Sequence, residues 1–315
     1  MDTIRIPNEA TYSPIALTDL AIAAPLVSGL LLGATLPGRL IQAVTLSVYA
    51  GSAVQDWFQR LGVRRIDFLR EFGADVQRMR SMPRDARQRE VRELAERLND
   101  GYTAERSELR DLAPRVDRHL TRFIAGITGQ RVETSVEVRT FSFMQLAFPF
   151  ALGAADILSG DVAIFKDTGV LQPHVVAHEF AHRKGYWREL DAQALAYLSL
   201  VSSGEPDLVQ AALSERLHRS LHVLARDTGE TWETAIRGLG LRAELEPEFM
   251  PIHAEARTPT SEINDIMRGV YDARMRLTGQ NGLSDYDLGF TNFLYSFETS
   301  DTARQIPPDR GAVHA

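Results

Sequence analysis

The residues best suited to chemistry lie in one stretch, "VVAHEFAHRKGYWRELDAQALAY", at positions 175–197. It contains the pattern His-Glu-x-x-His, formed by His178, Glu179 and His182. Histidines four positions apart lie on one face of a helix, where two imidazoles can bind the same metal ion. A glutamate beside them can polarise a water on the metal and carry its proton to a leaving amine. The spacing therefore predicts a zinc site that hydrolyses peptide bonds, with Glu179 as the general base.

The third zinc ligand is the open question, because a catalytic zinc has three protein ligands and one position for water. On one unbroken helix, Glu189 would lie about 16 Å from His178 along the axis, too far to share the ion. Gly185 is well placed to end the helix in a left-handed conformation, after which a new helix starts near Trp187. Glu189 in the first turn of that helix then faces the His pair. Asp191 remains the alternative ligand.

A third histidine, His174, precedes the motif on the same predicted helix. Pro173 suits the first helical turn, and Arg183 and Lys184 suit the last turn, where they meet the negative end of the helix dipole. The eight residues from His174 to His182 rise about 12 Å along a helix, so all three imidazoles cannot reach one ion. We expect His174 to be a residue of the helix start and not a ligand.

Seen together, the motif resembles the gluzincin metallopeptidases: His-Glu-x-x-His, a glycine, then Glu-x-x-Ala and a polar residue. The CAAX prenyl endopeptidase and HtpX group and the ImmA/IrrE-type peptidases share a Glu-x-x-Ala-Asp or Asn element, in which the Glu binds zinc. The resemblance implies that His178, His182 and Glu189 hold one Zn²⁺ per chain and that Glu179 is the general base. Gln193 stands where those families have the acid or the amide.

From about Val136 to Leu294, the chain resembles most a bacterial family of unknown function that is predicted to be membrane-anchored and zinc-peptidase-like. The likeness lies in "HEFAHRKGYWRELDAQALAYL" and in "INDIMRGVYDARMRLTGQNGLSDY". It implies a protein associated with the bacterial inner membrane; a soluble cytoplasmic protein is the alternative.

A peptidase also needs a group that stabilises the oxyanion. Tyr271 lies in the second resembling segment and is the first candidate, with His253 and Arg268 behind it.

Charge and composition limit the partners and the metal. The chain has 315 residues, with 35 Lys plus Arg against 42 Asp plus Glu, which argues against nucleic acid as a partner. It has no cysteine, so a transition metal must be held by histidines and carboxylates. The expected partner is a peptide or protein substrate.

Residues 20–55 are predicted to form an apolar helical hairpin. Leu20–Gly38 carries no charge, and after Arg39 a second uncharged run extends over Leu40–Gln55, with "LPGR" as the turn. A membrane span needs about 20 apolar residues, so the first run is long enough and the second falls a little short. Four arginines follow closely, which favours a cytoplasmic face there. Residues 1–56 would then anchor the chain in a membrane; two core helices are the alternative.

The rest of the chain divides into three parts. Residues 57–130 are charged, with apolar side chains at helical spacing, and predict amphipathic helices. Residues 131–243 are the expected zincin-like core, with a half-buried strand at 131–141 and a second strand in "GDVAIFKD" that would pair with an extended peptide as an edge strand or else lie in the core. Residues 244–315 read as a connector, helices and a tail. The expected fold is α+β and mainly α: a zincin-like core with an active-site helix and a small sheet.

Two other functions fit the same residues. Glu179 and His182 form a Glu-x-x-His pair, and Glu215 and His218 form another. Two such pairs on facing helices build the di-iron carboxylate site of ferritin-like bundles. The second is a catalytically inactive zincin fold that binds a partner.

Overall fold

The described part of the chain is mainly helical with two small sheets, an α+β fold as expected. The computed structural model describes residues 1–9, 24, 27–33, 35–140, 151–156, 159–252 and 261–300, without the side chains at 261–264 and 267. Its helices are α1 (Leu36–Leu61), α2 (Phe68–Phe72), α3 (Arg84–Asp100), α4 (Leu109–Thr128), α5 (Gln172–Arg183), α6 (Glu189–Val201), α7 (Pro206–Thr228), α8 (Trp232–Arg237), α9 (Glu246–Phe249), α10 (Ser261–Leu277) and α11 (Leu288–Glu298). Its strands are β1 (Asp2–Arg5), β2 (Gln130–Glu133), β3 (Arg139–Thr140), β4 (Gly153–Ala155) and β5 (Val162–Ile164).

Helices α5 and α6 lie at the centre of the fold. Every residue of α5 from Pro173 to Arg183 is buried, and so is every residue of α6 except Asp191. They pack on each other and on α4 and α7, while β4 and β5 lie against α5. Apolar side chains all round α5 make this burial favourable. The polar groups on these two helices therefore sit in the protein interior, where each needs a partner.

The two sheets are small. In the first, β1 pairs with β2 in parallel, so the first residues of the chain contribute a strand that was not predicted. In the second, the order is β3-β5-β4, with β3 parallel and β4 antiparallel to β5. The strand predicted in "GDVAIF" is confirmed as β5, and of its two predicted positions, at the edge or in the core, the structure shows the central one. Among the described strands of this sheet, β3 and β4 lie at the two edges.

The continuous strand predicted over residues 131–141 is wrong. It is two short strands in different sheets, β2 and β3, separated by residues 134–138. The backbone carbonyls of Ser135 and Glu137 accept hydrogen bonds from the Arg183 guanidinium at 2.7 and 2.8 Å, and the Ser135 N–H donates to the Asn8 side chain. Side chains thus satisfy backbone groups that a strand ladder would otherwise use.

The end of α5 is held by two buried cations. Arg183 and Lys184 were expected in the last turn, and both are fully buried. Lys184 Nζ lies 2.7 Å from a carboxylate oxygen of Asp117 on α4 and donates to the Val132 carbonyl at 3.0 Å. Burial lowers the pKa of Lys184, and Asp117 opposes that effect. These contacts fix the position of the helix that carries the His-Glu-x-x-His motif.

The predicted hairpin falls only partly within the described residues. Residues 27–32 are helical, and α1 begins at Leu36 after Thr35, whose hydroxyl accepts from the Gly38 N–H at 3.4 Å. The turn therefore lies before "LPGR" and not in it, because Pro37 suits the first turn of a helix. Large apolar side chains on α1 are exposed, among them Leu36, Leu40, Ile41, Val44, Leu46, Val48 and Phe58. No described helix is both long and apolar enough to cross a membrane.

Candidate metal centre

A glycine turn brings the predicted third ligand to the His pair. Gly185 has φ +99°, the left-handed region, and its N–H donates to the His182 carbonyl at 2.8 Å. The next N–H, of Tyr186, donates to the Ala181 carbonyl at 3.0 Å. This pair of bonds is the Schellman ending of a helix. The chain then reverses, and α6 begins at Glu189, two residues after the predicted start near Trp187. Glu189 thus lies in the first turn, as predicted.

Three ligand atoms converge at this turn. His178 Nε2 and His182 Nε2 lie 3.1 Å apart, and Glu189 Oε2 lies 3.1 and 3.2 Å from them. All three residues are buried, with 6 or 7 % of each exposed. In the described part of the chain, they form the one group of His, Asp and Glu side chains with metal-binding spacing.

The spacing of these atoms fits zinc. Tetrahedral ligands with bonds of about 2.0–2.1 Å lie about 3.3 Å from one another. The observed separations of 3.1–3.2 Å are close to that edge length. Two imidazole nitrogens and a carboxylate oxygen are also the donor set of catalytic zinc in metallopeptidases. The residues present therefore fit one Zn²⁺ ion.

The pKa shifts of His182 and Glu189 show that the Glu189 carboxylate favours a positive charge beside it. Burial works against charge on His182, but Glu189 outweighs it and raises the pKa of His182 to about 9. Burial likewise disfavours the charged carboxylate of Glu189, but the two imidazoles hold its pKa well below the usual range. Glu189 is thus anionic in the interior, and it needs a cation beside it, as a proton on His182 or as a metal ion.

Contacts behind the ligands orient the imidazoles. His182 donates from Nδ1 to the Tyr186 carbonyl at 2.8 Å, which leaves Nε2 as the free lone pair. The His182 ring stacks on Trp187, with centroids 6.1 Å apart and planes at 8°. The His178 ring stacks on Tyr286 at 6.0 Å. Each imidazole is therefore packed against one aromatic ring.

Two tyrosines hold the Glu189 carboxylate. The Tyr271 hydroxyl on α10 donates to Oε1 at 2.5 Å, and the Tyr286 hydroxyl donates to Oε2 at 2.7 Å. The two phenolic oxygens are 3.5 Å apart. Tyr271 was predicted at the site, but Tyr286 was missed, although it ends the second segment that carried the family resemblance. Burial, followed by the negative charge of Glu189, raises the pKa of both tyrosines, so both are hydrogen-bond donors at neutral pH.

Glu179, the predicted general base, faces the small sheet. Its carboxylate accepts a hydrogen bond from the backbone of Ala155 on β4, and burial raises its pKa. Gly153 on the same strand allows the close approach, since an added Cβ would lie 3.3 Å from Glu179 Cγ and 3.0 Å from the Ala163 carbonyl oxygen. The strand that lies beside the base is thus β4, and the sequence did not predict it.

The other predicted residues lie elsewhere. Asp191 does not join the ligand group, so Glu189 is the carboxylate that meets the His pair. Arg268 is exposed on α10, and His253 lies outside the described residues. His174 is buried but does not join the group, as expected.

The second Glu-x-x-His pair does not complete a metal site within the described residues. Glu215 and His218 are buried on α7, 3.5 Å apart, and neither joins the ligand group. His218 packs against the Trp232 ring, and His222 lies 3.0 Å from an Asp287 carboxylate oxygen. These histidines lie on a packing face of α7.

Comparison with known proteins adds one finding. A family model described as "Protein of unknown function (DUF3810)" matches residues 166–295. The matched region contains the three candidate ligands, Glu179 and both tyrosines. No curated protein and no solved structure matches the chain.

Proposed function

We infer that the protein is a zinc-dependent metallopeptidase with a gluzincin-like site in a zincin-like core. One observation carries this proposal: His178, His182 and Glu189 converge within 3.2 Å at the distances of a tetrahedral zinc site. Glu179 occupies the position of the general base in the same motif. Zinc, when bound, would act as a Lewis acid that activates water and polarises a carbonyl group.

Glu179 performs the proton transfers in this mechanism. Burial raises the pKa of its carboxyl group, which makes the carboxylate a stronger proton acceptor. Its oxygen takes a proton from the attacking water and later gives it to the amine nitrogen of the leaving peptide. The backbone of Ala155 holds the carboxylate in one orientation during this exchange.

The edge of β4 suits an extended peptide substrate. Among the described strands, β4 has one neighbour, β5, and it lies directly beside Glu179. A peptide that adds to a free strand edge gains main-chain hydrogen bonds, and its scissile bond would lie beside the base. The sequence left "GDVAIF" as either an edge strand for the substrate or a core strand; because β5 is central, we place the peptide on β4.

Chelation tests the proposal as a whole. Purified full-length protein is expected to contain one zinc per chain and to hydrolyse unfolded protein substrates. Removal of the metal with a chelator should abolish hydrolysis, and one equivalent of zinc should restore it. Metal analysis combined with a peptide-release assay checks this. Bound zinc without hydrolysis of any peptide would instead favour the inactive zincin-fold binding protein.

The two tyrosines are expected to separate by their kinetic effects. If Tyr271 stabilises the oxyanion, Tyr271→Phe lowers kcat at saturating zinc about 10²–10³-fold, and the loss of its hydrogen bond to Glu189 weakens zinc binding as well. If Tyr286 only orients Glu189, Tyr286→Phe weakens zinc binding about 10–100-fold. Steady-state kinetics at saturating zinc, with a chelator competition for affinity, distinguishes the two effects. A loss of affinity in both variants and of kcat in neither would remove Tyr271 from catalysis.

Association with a membrane through residues 20–55 stays a prediction. The exposed apolar side chains of α1 support it, since such a surface is unfavourable in water.

A further inference from the structure

Residues 60–65, at the end of α1 and just beyond it, pack on the turn that joins the metal ligands. Arg60 is buried, with 3 % of it exposed, and its Nε donates to the carbonyl of Arg183, the last residue of α5, at 3.3 Å. Arg65 donates from Nη1 to the carbonyl of Gly185 in the turn itself. The last carbonyls of a helix have no partner within the helix, so Arg60 satisfies a group that the end of α5 leaves open.

The same segment holds the two residues that orient His182. The Tyr186 hydroxyl donates to the Arg64 carbonyl at 3.1 Å, while the Tyr186 carbonyl accepts from His182 Nδ1 at 2.8 Å. The Arg60 guanidinium lies over the Trp187 ring, 6.0 Å from its centroid, and the Trp187 ring stacks on the His182 ring at 6.1 Å. Trp187 thus contacts both a buried cation of α1 and the imidazole of a candidate metal ligand.

Arg60 is itself fixed by a buried polar cluster. Asp56, one turn earlier on α1, is fully buried and accepts from the Asn8 backbone N–H at 3.2 Å and from the Asn8 amide at 3.4 Å. Burial lowers the pKa of Arg60, and the carboxylates of Asp56 and Asp156 oppose that effect. At Gly160, an added Cβ would collide with Arg60 Nη2, so glycine leaves the space that the guanidinium fills. Groups from several parts of the chain therefore hold the guanidinium in one place.

We propose that Arg60 is a positioning residue of the metal centre and acts on His182 through Trp187. A guanidinium is planar and charged, so it is attracted to the face of an indole ring and restricts the orientation of that ring. The indole in turn restricts rotation of the His182 ring that stacks on it, so that Nε2 stays directed at the other ligand atoms. The inference rests on the proposed metal site, and it gives α1 a role in that site.

The three candidate ligands are then oriented from two parts of the chain. Tyr271 and Tyr286 hold Glu189 by hydrogen bonds, whereas the end of α1 holds His182. A ligand that is already fixed loses less conformational freedom when the metal binds, so these contacts raise metal affinity. Loss of a partner that orients a metal-binding histidine typically weakens metal binding about 10–100-fold.

The test uses Trp187→Leu, Trp187→Phe and Arg60→Lys in the full-length chain. Trp187 is half-buried; leucine there removes the ring, whereas phenylalanine keeps an aromatic face. Arg60→Lys keeps the positive charge beside Asp56 but removes the plane that lies over the indole and the Nε donor. The matched control is Arg87→Lys. Arg87 is 2 % exposed, and its guanidinium donates to two side chains of α11, outside the metal centre.

Zinc affinity is measured by competition with a chromophoric chelator, and the visible spectrum of the Co²⁺-loaded protein reports ligand geometry. Trp187→Leu and Arg60→Lys are each expected to bind zinc about 10-fold more weakly and to shift the Co²⁺ bands. Trp187→Phe keeps most of the affinity, and Arg87→Lys matches the wild type. Wild-type affinities and spectra in both Trp187→Leu and Arg60→Lys would overturn the inference and leave the zinc site intact. A wild-type chain that binds no zinc would overturn both, and neither measurement depends on peptide hydrolysis.

The double variant tests the route from Arg60 to His182. If Arg60 acts through Trp187, adding Arg60→Lys to Trp187→Leu weakens zinc binding less than about two-fold further, because the contact between the two side chains is already absent. Losses that multiply would show that Arg60 acts independently of Trp187 and would overturn the route. Circular dichroism checks that each variant is folded. Should Arg60→Lys fail to fold, Trp187→Leu still decides, because wild-type affinity without the indole would leave Arg60 no route to His182.

Discussion

Replacing Glu179 with glutamine is expected to lower the kcat for peptide hydrolysis about 10²–10⁴-fold while zinc stays bound. The amide has nearly the shape of the carboxylate, and its oxygen still accepts the hydrogen bond from the Ala155 backbone. It cannot take a proton from water at neutral pH. Glu179 is not one of the three ligands, so the metal group is unchanged.

Steady-state kinetics and metal analysis on the same preparation check this result. The Glu90→Gln variant is the control, because it also neutralises a buried carboxylate but lies outside the metal centre. Hydrolysis at the wild-type rate in Glu179→Gln would remove Glu179 as the general base. Parallel loss of activity in the control would point to damage of the fold instead.

The second large effect is expected at the third ligand. Glu189→Ala should lose zinc, because it removes one of three protein ligands and leaves the Tyr271 and Tyr286 hydroxyls without their acceptor. Asp191→Ala should keep one zinc per chain, since Asp191 does not join the ligand group. Burial raises the pKa of Asp191 to about 7, so this residue is not a fixed anion that the site depends on.

Metal analysis of the two purified variants beside the wild type decides between the carboxylates. If Asp191→Ala loses zinc and Glu189→Ala keeps it, Asp191 is the third ligand and the proposed enzyme class is unchanged. Two irons per chain in the wild type would contradict the zinc site and favour the di-iron alternative that includes Glu215 and His218. Both variants should be checked for folding, because each position lies in the first turn of α6.

The centre of the site was predictable because its determinants are local. His178 and His182 lie on one helical face whatever surrounds the helix, and that face depends only on their spacing. Gly185 ends the helix because it adopts positive φ at little cost, and this too is a property of one residue. The helix end at Gly185 in turn predicted that the chain reverses there and that Glu189 lies in the first turn of the next helix.

The strand predictions were weaker because sheet position is not a local property. The alternation at 131–141 fits a strand, but Arg183, about 46 residues away, takes the carbonyl groups that would have formed a ladder. Likewise, "GDVAIF" has the composition of a strand at the edge or at the centre. Only pairing with both β3 and β4 decides that it is central.

By itself, the sequence determined the helix that carries His178 and His182, its end at glycine and the proposed general base, since interactions within about four residues control each of them. The tertiary structure decided what surrounds them. Tyr286 reaches Glu189 across 97 positions, and Glu215 meets Gln193 from another helix. Such contacts depend on how α6, α7 and the C-terminal segment pack, which spacing along the chain does not encode. The choice of Glu189 over Asp191 has the same cause, because only the packing of α6 on α5 decides which of the two carboxylates faces the histidines.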